Sequence, residues 1–302
     1  MRHSLNRHIL GKKTERNEFV KENENYGVTR VCRLLKVSTS GYYAWKNKKP
    51  SKRSVENEKL IFEIRMLHEK SKKRSGSPKI HRALKKAGIK CGKNRVARLM
   101  REKGIRCKYA KKYKATTNSK HGLPVAENIL KQHFVVIRPN EVWVADITYV
   151  WTKEGWLYVS IVIDLYARKV VGLAMSESID ADLANAALRQ AITRRKPGPG
   201  LMYHSDQGST YAAGSHQEIV EENKMVMSMS RKGDPYDNAV AESTFGFYKR
   251  ELVFDEVFET RAKAKVKTFE YFEVDFNRER LHSSNGYKTP EEYEKEYYQL
   301  NK

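Results

Sequence analysis

The sequence predicts an α/β layered domain, a mixed five-stranded sheet with helices on both faces, preceded by all-helical units of helix-turn-helix type. Three observations predict it. Residues 1–120 carry 36 Lys and Arg against 9 Glu and no Asp, a charge of +27, whereas the remainder, 23 basic against 27 acidic, is −4. Hydrophobic periodicity changes from helical to strand-like after Pro139-Asn140. Three acids, Asp146, Asp206 and Glu242, fall at successive strand and helix positions beyond that change.

The chain of 302 residues exceeds one ordinary domain. Its one-sided basic excess asks for a polyanion, and nucleic acid explains it better than a face charged only for solubility. No apolar run is long enough to span a bilayer and no cleavable leader is recognisable, so a cytoplasmic protein is expected. Cys32, Cys91 and Cys107 form no CxxC pair and read as free thiols. His3 and His8 with Cys32 resemble the start of a zinc site, but Cys91 is too distant to supply the adjacent thiolate.

The division expected is 1–50, helix-turn-helix-like; 51–110, basic and helical; 111–135, linker; 136–258, core; and 259–302, a helical extension. In the first, Val28, Val31, Cys32 and Leu35 lie at helical spacing, Val37-Ser38 breaks the pattern, and Ser40 is placed to cap a helix burying Tyr42 and Trp45. Asn47 to Ser54 is Lys-rich with Pro50 and reads as exposed linker.

A helix through Leu60, Ile61, Ile64 and Leu67 comes next. Ser77 as cap and Pro78 at the first position then start one with Ile80, Leu84 and Ala87 on its apolar side. After Gly88 and Gly92, a helix from Asn94 buries Val96, Leu99 and Met100 and turns Lys93, Arg95, Arg98, Arg101 and Lys103 outward. Exposed cations over an apolar stripe suit phosphate contact in a DNA groove, without implying base specificity. In the basic stretch from 106 to about 130, Tyr109 and Tyr113 suit base stacking and ordinary packing equally.

The runs 142–151, 156–163 and 169–174 are β-branched and aromatic with short turns between, an antiparallel meander. A helix through Leu183 and Ile192 follows, then a strand at 201–203 ending in Asp206, a small helix near 216–222 and a strand at 225–229. Helices from about Asp237 to Leu252 and from Ala262 to Phe276 complete it. This element order is that of the ribonuclease H-like fold.

Asp146 sits in an apolar strand, where an unpaired carboxylate is costly, so it reads as functional. Asp206 in Ser-Asp-Gln-Gly and Glu242 on a helix would pass alone for a turn residue and a solvated side chain. Together the three suit hard divalent cations: without them, close acids raise one another's pKa. Two such ions activate an oxygen nucleophile and stabilise a leaving 3′-oxygen. Asp164 ends its strand at a turn and reads as structural. Lys249, nearly two helical turns beyond Glu242, is placed to hold a phosphate. Asn238, one turn before Glu242, suits DNA contact, placement of the nucleophile, or helix capping.

These residues resemble the downstream-frame transposases of the IS3 family of bacterial insertion sequences and, more distantly, retroviral integrases. The likeness spans most of the chain. It includes Val-Ser-Thr-Ser-Gly-Tyr-Tyr-Ala-Trp45, Arg-Leu-Met-Arg-Glu-Lys-Gly-Ile-Arg106, the three acid neighbourhoods with 35 residues between the last two, Lys249, and the tail from Phe276 to Pro290. The resemblance implies that Asp146, Asp206 and Glu242 are a DDE catalytic triad holding two Mg²⁺ or Mn²⁺ ions. It implies 3′-end cleavage of double-stranded DNA at the element's ends, strand transfer into target DNA without a covalent protein link, and a homo-oligomer on DNA. Fusion or partnership with an upstream-frame product is also implied, since this chain shows no heptad run. Arg278, His282 and Tyr287 match family positions without an assigned chemistry, while Phe276 and Asn285 depart from the family's usual Tyr and Leu. A nuclease without joining activity and a catalytically dead DNA-binding regulator are the competing readings.

Overall fold

The computed structural model describes residues 13–108, 125–231 and 235–301. The chain divides into two compact units, residues 1–62 and 63–302. His3, His8, Tyr109 and Tyr113 lie outside the described residues.

In the first unit α1 (Lys13–Glu22), α2 (Val28–Leu34) and α3 (Thr39–Lys46) bury Val20, Val31, Cys32 and Tyr42 together. The cap of α3 is Ser38, not Ser40: its hydroxyl accepts from the Gly41 amide at 3.2 Å, and the Ser40 hydroxyl bonds back to it at 2.7 Å. The helix starts early because Lys36, at φ 52°, closes α2, and the Val37 amide returns to the Cys32 carbonyl. The tether of this small core is Glu24, which accepts from the Tyr42 hydroxyl and the Lys46 ammonium.

Helix α4 (Lys52–Lys70) begins inside the stretch expected to be linker, with Lys52 to Ser54 helical and exposed. In α5 (Ser77–Lys86) Gly76 takes the cap position and Ser77 is the first helical residue, so the predicted serine cap is corrected. Ala87 is the exposed end of that helix rather than part of its buried stripe. Gly88, at φ +79°, makes the turn that a side chain would strain. Helix α6 (Lys93–Glu102) buries Val96, Leu99 and Met100 as expected.

The meander forms as β1 (Val142–Thr152), β2 (Gly155–Asp164) and β3 (Lys169–Ser176), antiparallel throughout. After α7 (Ala181–Arg195), β4 (Met202–Ser205) and β5 (Val226–Met229) add in parallel, giving the order β3-β2-β1-β4-β5. Strand alternation sends Val144, Val150, Ile161 and Ile163 to one face and Trp143, Ala145 and Val162 to the other. The first face is covered by Phe245 and Tyr248 of α10 (Ala239–Glu251) and by Phe272 and Phe276. The second is covered by Ala184, Ala187 and Leu188 of α7. Helix α7 lies close because Gly172 has no Cβ, which would stand 2.3 Å from the Ala187 carbonyl. Two short helices, α8 (Ser209–Ala212) and α9 (Gly214–Glu222), fill the chain between β4 and β5.

Helix α11 (Arg261–Glu270) runs on as a π-helical stretch, Tyr271–Glu279, past the predicted end at Phe276. A last helix, α12 (Pro290–Leu300), is held by a capping box of Thr289 and Glu292. The unusual Phe276 is fully buried beside the His282 ring, and Asn285 donates to the Ala167 carbonyl at 2.7 Å. Tyr287 carries the Arg82 guanidinium over its ring, whereas Arg278 is exposed near Glu291. Phe276, Asn285 and Tyr287 brace the fold, and Arg278 does not. Asp164 is fully buried and accepts from the Asn140 and Tyr166 amides at 2.8 and 3.0 Å, the turn role expected of it.

Candidate active site

The parallel pairing of β1 with β4 is what brings the two aspartates together. Val144 registers with His204, and two residues further on stand Asp146, within β1, and Asp206, just past the end of β4. On its other side Asp146 pairs with Ile161 of β2. Its carboxylate accepts from the Ile147 amide at 2.8 Å. Asp206 closes a tight turn by accepting from the Gly208 amide at 2.9 Å, and a Cβ on Gly208 would press to within 2.9 Å of that same oxygen. Glu242 comes from the first turn of α10, where the helix dipole favours a carboxylate. All three acids are half-buried.

Their electrostatics are shared. Burial first, and then the fields of Asp206 and Glu242, push the Asp146 carboxyl well above its usual range, against the pull of the Ile147 amide and Lys249. Glu242 is raised by burial and by Asp206. Among the described residues no three His, Cys, Asp or Glu side chains stand close enough to hold an ion by themselves. The donor set nevertheless suits a hard cation: it is all oxygen, its members repel, and Mg²⁺ takes one or two carboxylates while water and substrate phosphate complete its shell.

Two further side chains attach to this cluster. Asn238 stands at the N-cap position of α10 but makes no capping bond, and its amide instead donates to the Ala145 carbonyl at 3.0 Å. Lys249 was expected to project towards a phosphate. It is only 4 % exposed, with its ammonium 4.4 Å from the centre of the Tyr149 ring. Burial lowers its pKa to about 8, opposed by Asp146.

Comparison with known proteins fits this arrangement. Integrase core domain models match residues 137–235 and 223–290, and an HTH-like domain model matches 55–113. A 31 kDa protein of insertion element IS600 from Shigella sonnei is 42 % identical over 270 residues, covering 89 % of this chain and 99 % of its own. The InsF transposase of IS3A from Escherichia coli K12 is 36 % identical over 276 residues, 91 % of this chain and 96 % of its own. The chain belongs to the IS3-family transposases.

Among solved structures, the simian T-cell lymphotropic virus intasome aligns at 14 % identity and TM-score 0.46, over 76 % of this chain and 74 % of that one. The HTLV-2 integrase catalytic core with magnesium aligns at 17 % and 0.42, over 53 % and 99 %. In the transposase the matched HTH-like stretch contains α5 and α6. Lys93 and Arg101 are exposed there, and Arg95 and Arg98 half-buried. Arg98 also pairs with Glu102 at 2.8 Å.

The sequence alone gives neither Tyr149 nor Asp237 a part. No local signal marks Tyr149, because its partner Lys249 arrives from a helix a hundred residues on. Asp237 had one signal, a second acid directly before Asn238 at a helix start.

Proposed function

We propose that the transposase cuts the 3′ ends of its insertion sequence by hydrolysis and joins each freed 3′-hydroxyl to target DNA by in-line transesterification. Asp146, Asp206 and Glu242 are the catalytic acids and the ligands of two divalent cations, Mg²⁺ or Mn²⁺. The observation that carries this reading is the parallel pairing of β1 with β4, which sets Asp146 beside Asp206 in a field, shared with Glu242, that raises Asp146 and Glu242 together. Such a set is relieved by cations or by protonation, and bound cations leave the acids ionised. When bound, the ions supply activation of the oxygen nucleophile and stabilisation of the departing 3′-oxygen.

The chain's own residues do the rest. Asp146 in β1 and Asp206 just past β4 define one side of the reacting phosphate, and Glu242 closes the other from α10. Asn238 keeps α10 against β1. Lys249 offers a positive charge beside Asp146. Lys93, Arg95, Arg98 and Arg101 grip the duplex backbone, a role suited to the basic front of the chain. Copies of the transposase assemble on the paired DNA ends.

The test is a strand-transfer assay with oligonucleotides bearing the element's ends and a plasmid target. Asp146→Asn should abolish both cutting and joining while leaving duplex binding intact. Cutting without joining of supplied 3′-hydroxyl ends would make the protein a nuclease, and equal DNA processing by Asp146→Asn and wild type would end the proposal. Cutting only after addition of the upstream-frame product would place end recognition in that partner.

A further inference from the structure

Asp237 is fully buried in the 3₁₀ turn Pro235–Asn238, five residues ahead of Glu242. Its carboxylate accepts from the Arg231 backbone amide at 2.9 Å and from the Arg231 guanidinium at 3.0 and 3.2 Å. It also accepts from Asn128 Nδ2 at 2.8 Å and Gln132 Nε2 at 2.9 Å. The Arg231 guanidinium above all, with the amides, holds this carboxyl well below its usual range. Ionised, it satisfies every one of these donors at once.

The segment supplying the two amides is itself fastened to the sheet. Ser228 of β5 accepts from the Ile129 and Leu130 amides at 3.0 and 3.2 Å, and Leu130 is buried in the core. Lys131 and Gln132 hold a tight turn at φ 45° and 64°, closed by the Lys131 amide on Asn128. On the other side of Asp237, the neighbouring Asn238 reaches the Ala145 carbonyl beside Asp146. The first turn of α10 has no side-chain cap of its own, so the hydrogen bonds of Asp237 and Asn238 hold its start.

We infer that Asp237 is a positioning residue for Glu242, fastening the start of α10 to the segment 128–132 so that this segment and the acid cluster keep one geometry. The inference rests on the proposed role of the acids. A carboxylate in the wrong place by an ångström forfeits much of its affinity for an ion, which is why a ligand needs support behind it.

The experiment uses the full chain in three forms: wild type, Asp237→Asn, and the double variant Asn128→Ala with Gln132→Ala, which leaves Asp237 itself in place. Two quantities are read, Mn²⁺ affinity by water-proton relaxation and amide hydrogen exchange of residues 239–243 without metal. The expected result is about tenfold weaker Mn²⁺ binding, worth about 1.4 kcal/mol, and clearly faster exchange at 239–243. Exchange in β2 and β3 and affinity for duplex DNA should stay unchanged. The inference is overturned if the double variant exchanges at 239–243 like wild type, or if stability falls evenly over the core with Mn²⁺ affinity intact. If wild type binds no Mn²⁺, the proposed site fails, and the exchange result alone decides the role of Asp237. If Asp237→Asn does not fold, the double variant decides.

Discussion

Asn238 donates its side-chain amide to the carbonyl of Ala145 at 3.0 Å, tying the start of the helix that carries Glu242 to the strand residue beside Asp146. Two acids nearly a hundred residues apart thereby share one support. The bond is buried, so its loss is not made good by water. Asn238→Ala should cost about 1 kcal/mol of stability and lower strand transfer by roughly tenfold or more, the scale for lost support behind a metal ligand. Duplex affinity should hold, as filter binding or anisotropy would show.

Gly208 gives a sharper test, because the obstacle is steric. Its missing Cβ would lie 2.9 Å from the Asp206 oxygen that the Gly208 amide holds. Gly208→Ala must displace the carboxylate or the turn, and a loss of roughly 10²-fold in strand transfer is expected with the circular-dichroism spectrum unchanged.

Metal removal should show in stability. Asp146 binds its proton more tightly folded than unfolded, so without ions stability falls as pH rises from the ordinary aspartate range through the raised folded value. Cations favour the ionised carboxyl and should offset that loss. Mg²⁺ should raise the melting temperature of wild type, EDTA should lower it again, and Asp146→Asn should melt higher than metal-free wild type and respond little to Mg²⁺. Differential scanning fluorimetry over pH 4–8 checks the sign.

Lys249 titrates in the opposite sense to a lysine gaining a partner. Its folded pKa is lowered to about 8, against 10.5 for the free side chain, with burial the main cause. Between those values the unfolded chain binds more protons, so this group makes stability rise with pH across that window. Lys249→Met should flatten the rise and add stability below pH 8, on the order of 1–3 kcal/mol. Urea unfolding at pH 7 and pH 10 of both proteins isolates the effect from other lysines.

Much of this molecule was legible along the chain. The meander of β1, β2 and β3, the helices α7 and α10, and the buried stripe of α6 follow from periodicity, a property of neighbours in sequence. The acids stood out because Asp146 interrupts an apolar run and Asp206 precedes Gln-Gly. Caps were less legible: Ser38 replaced Ser40 and Gly76 displaced Ser77, since a helix start moves by one or two residues when the preceding turn closes differently.

By itself, then, the sequence determined the types of the main elements, the basic front and which acids are the candidates, because these depend on side-chain chemistry and local spacing. Only the tertiary structure decided that β4 lies parallel beside β1 with Asp206 next to Asp146, that Lys249 turns inward over Tyr149, and that Asp237 gathers Asn128, Gln132 and Arg231. Each of these depends on contacts across a crossover or between distant segments. Such contacts are chosen by packing and by the satisfaction of buried polar groups, which no window along the chain contains.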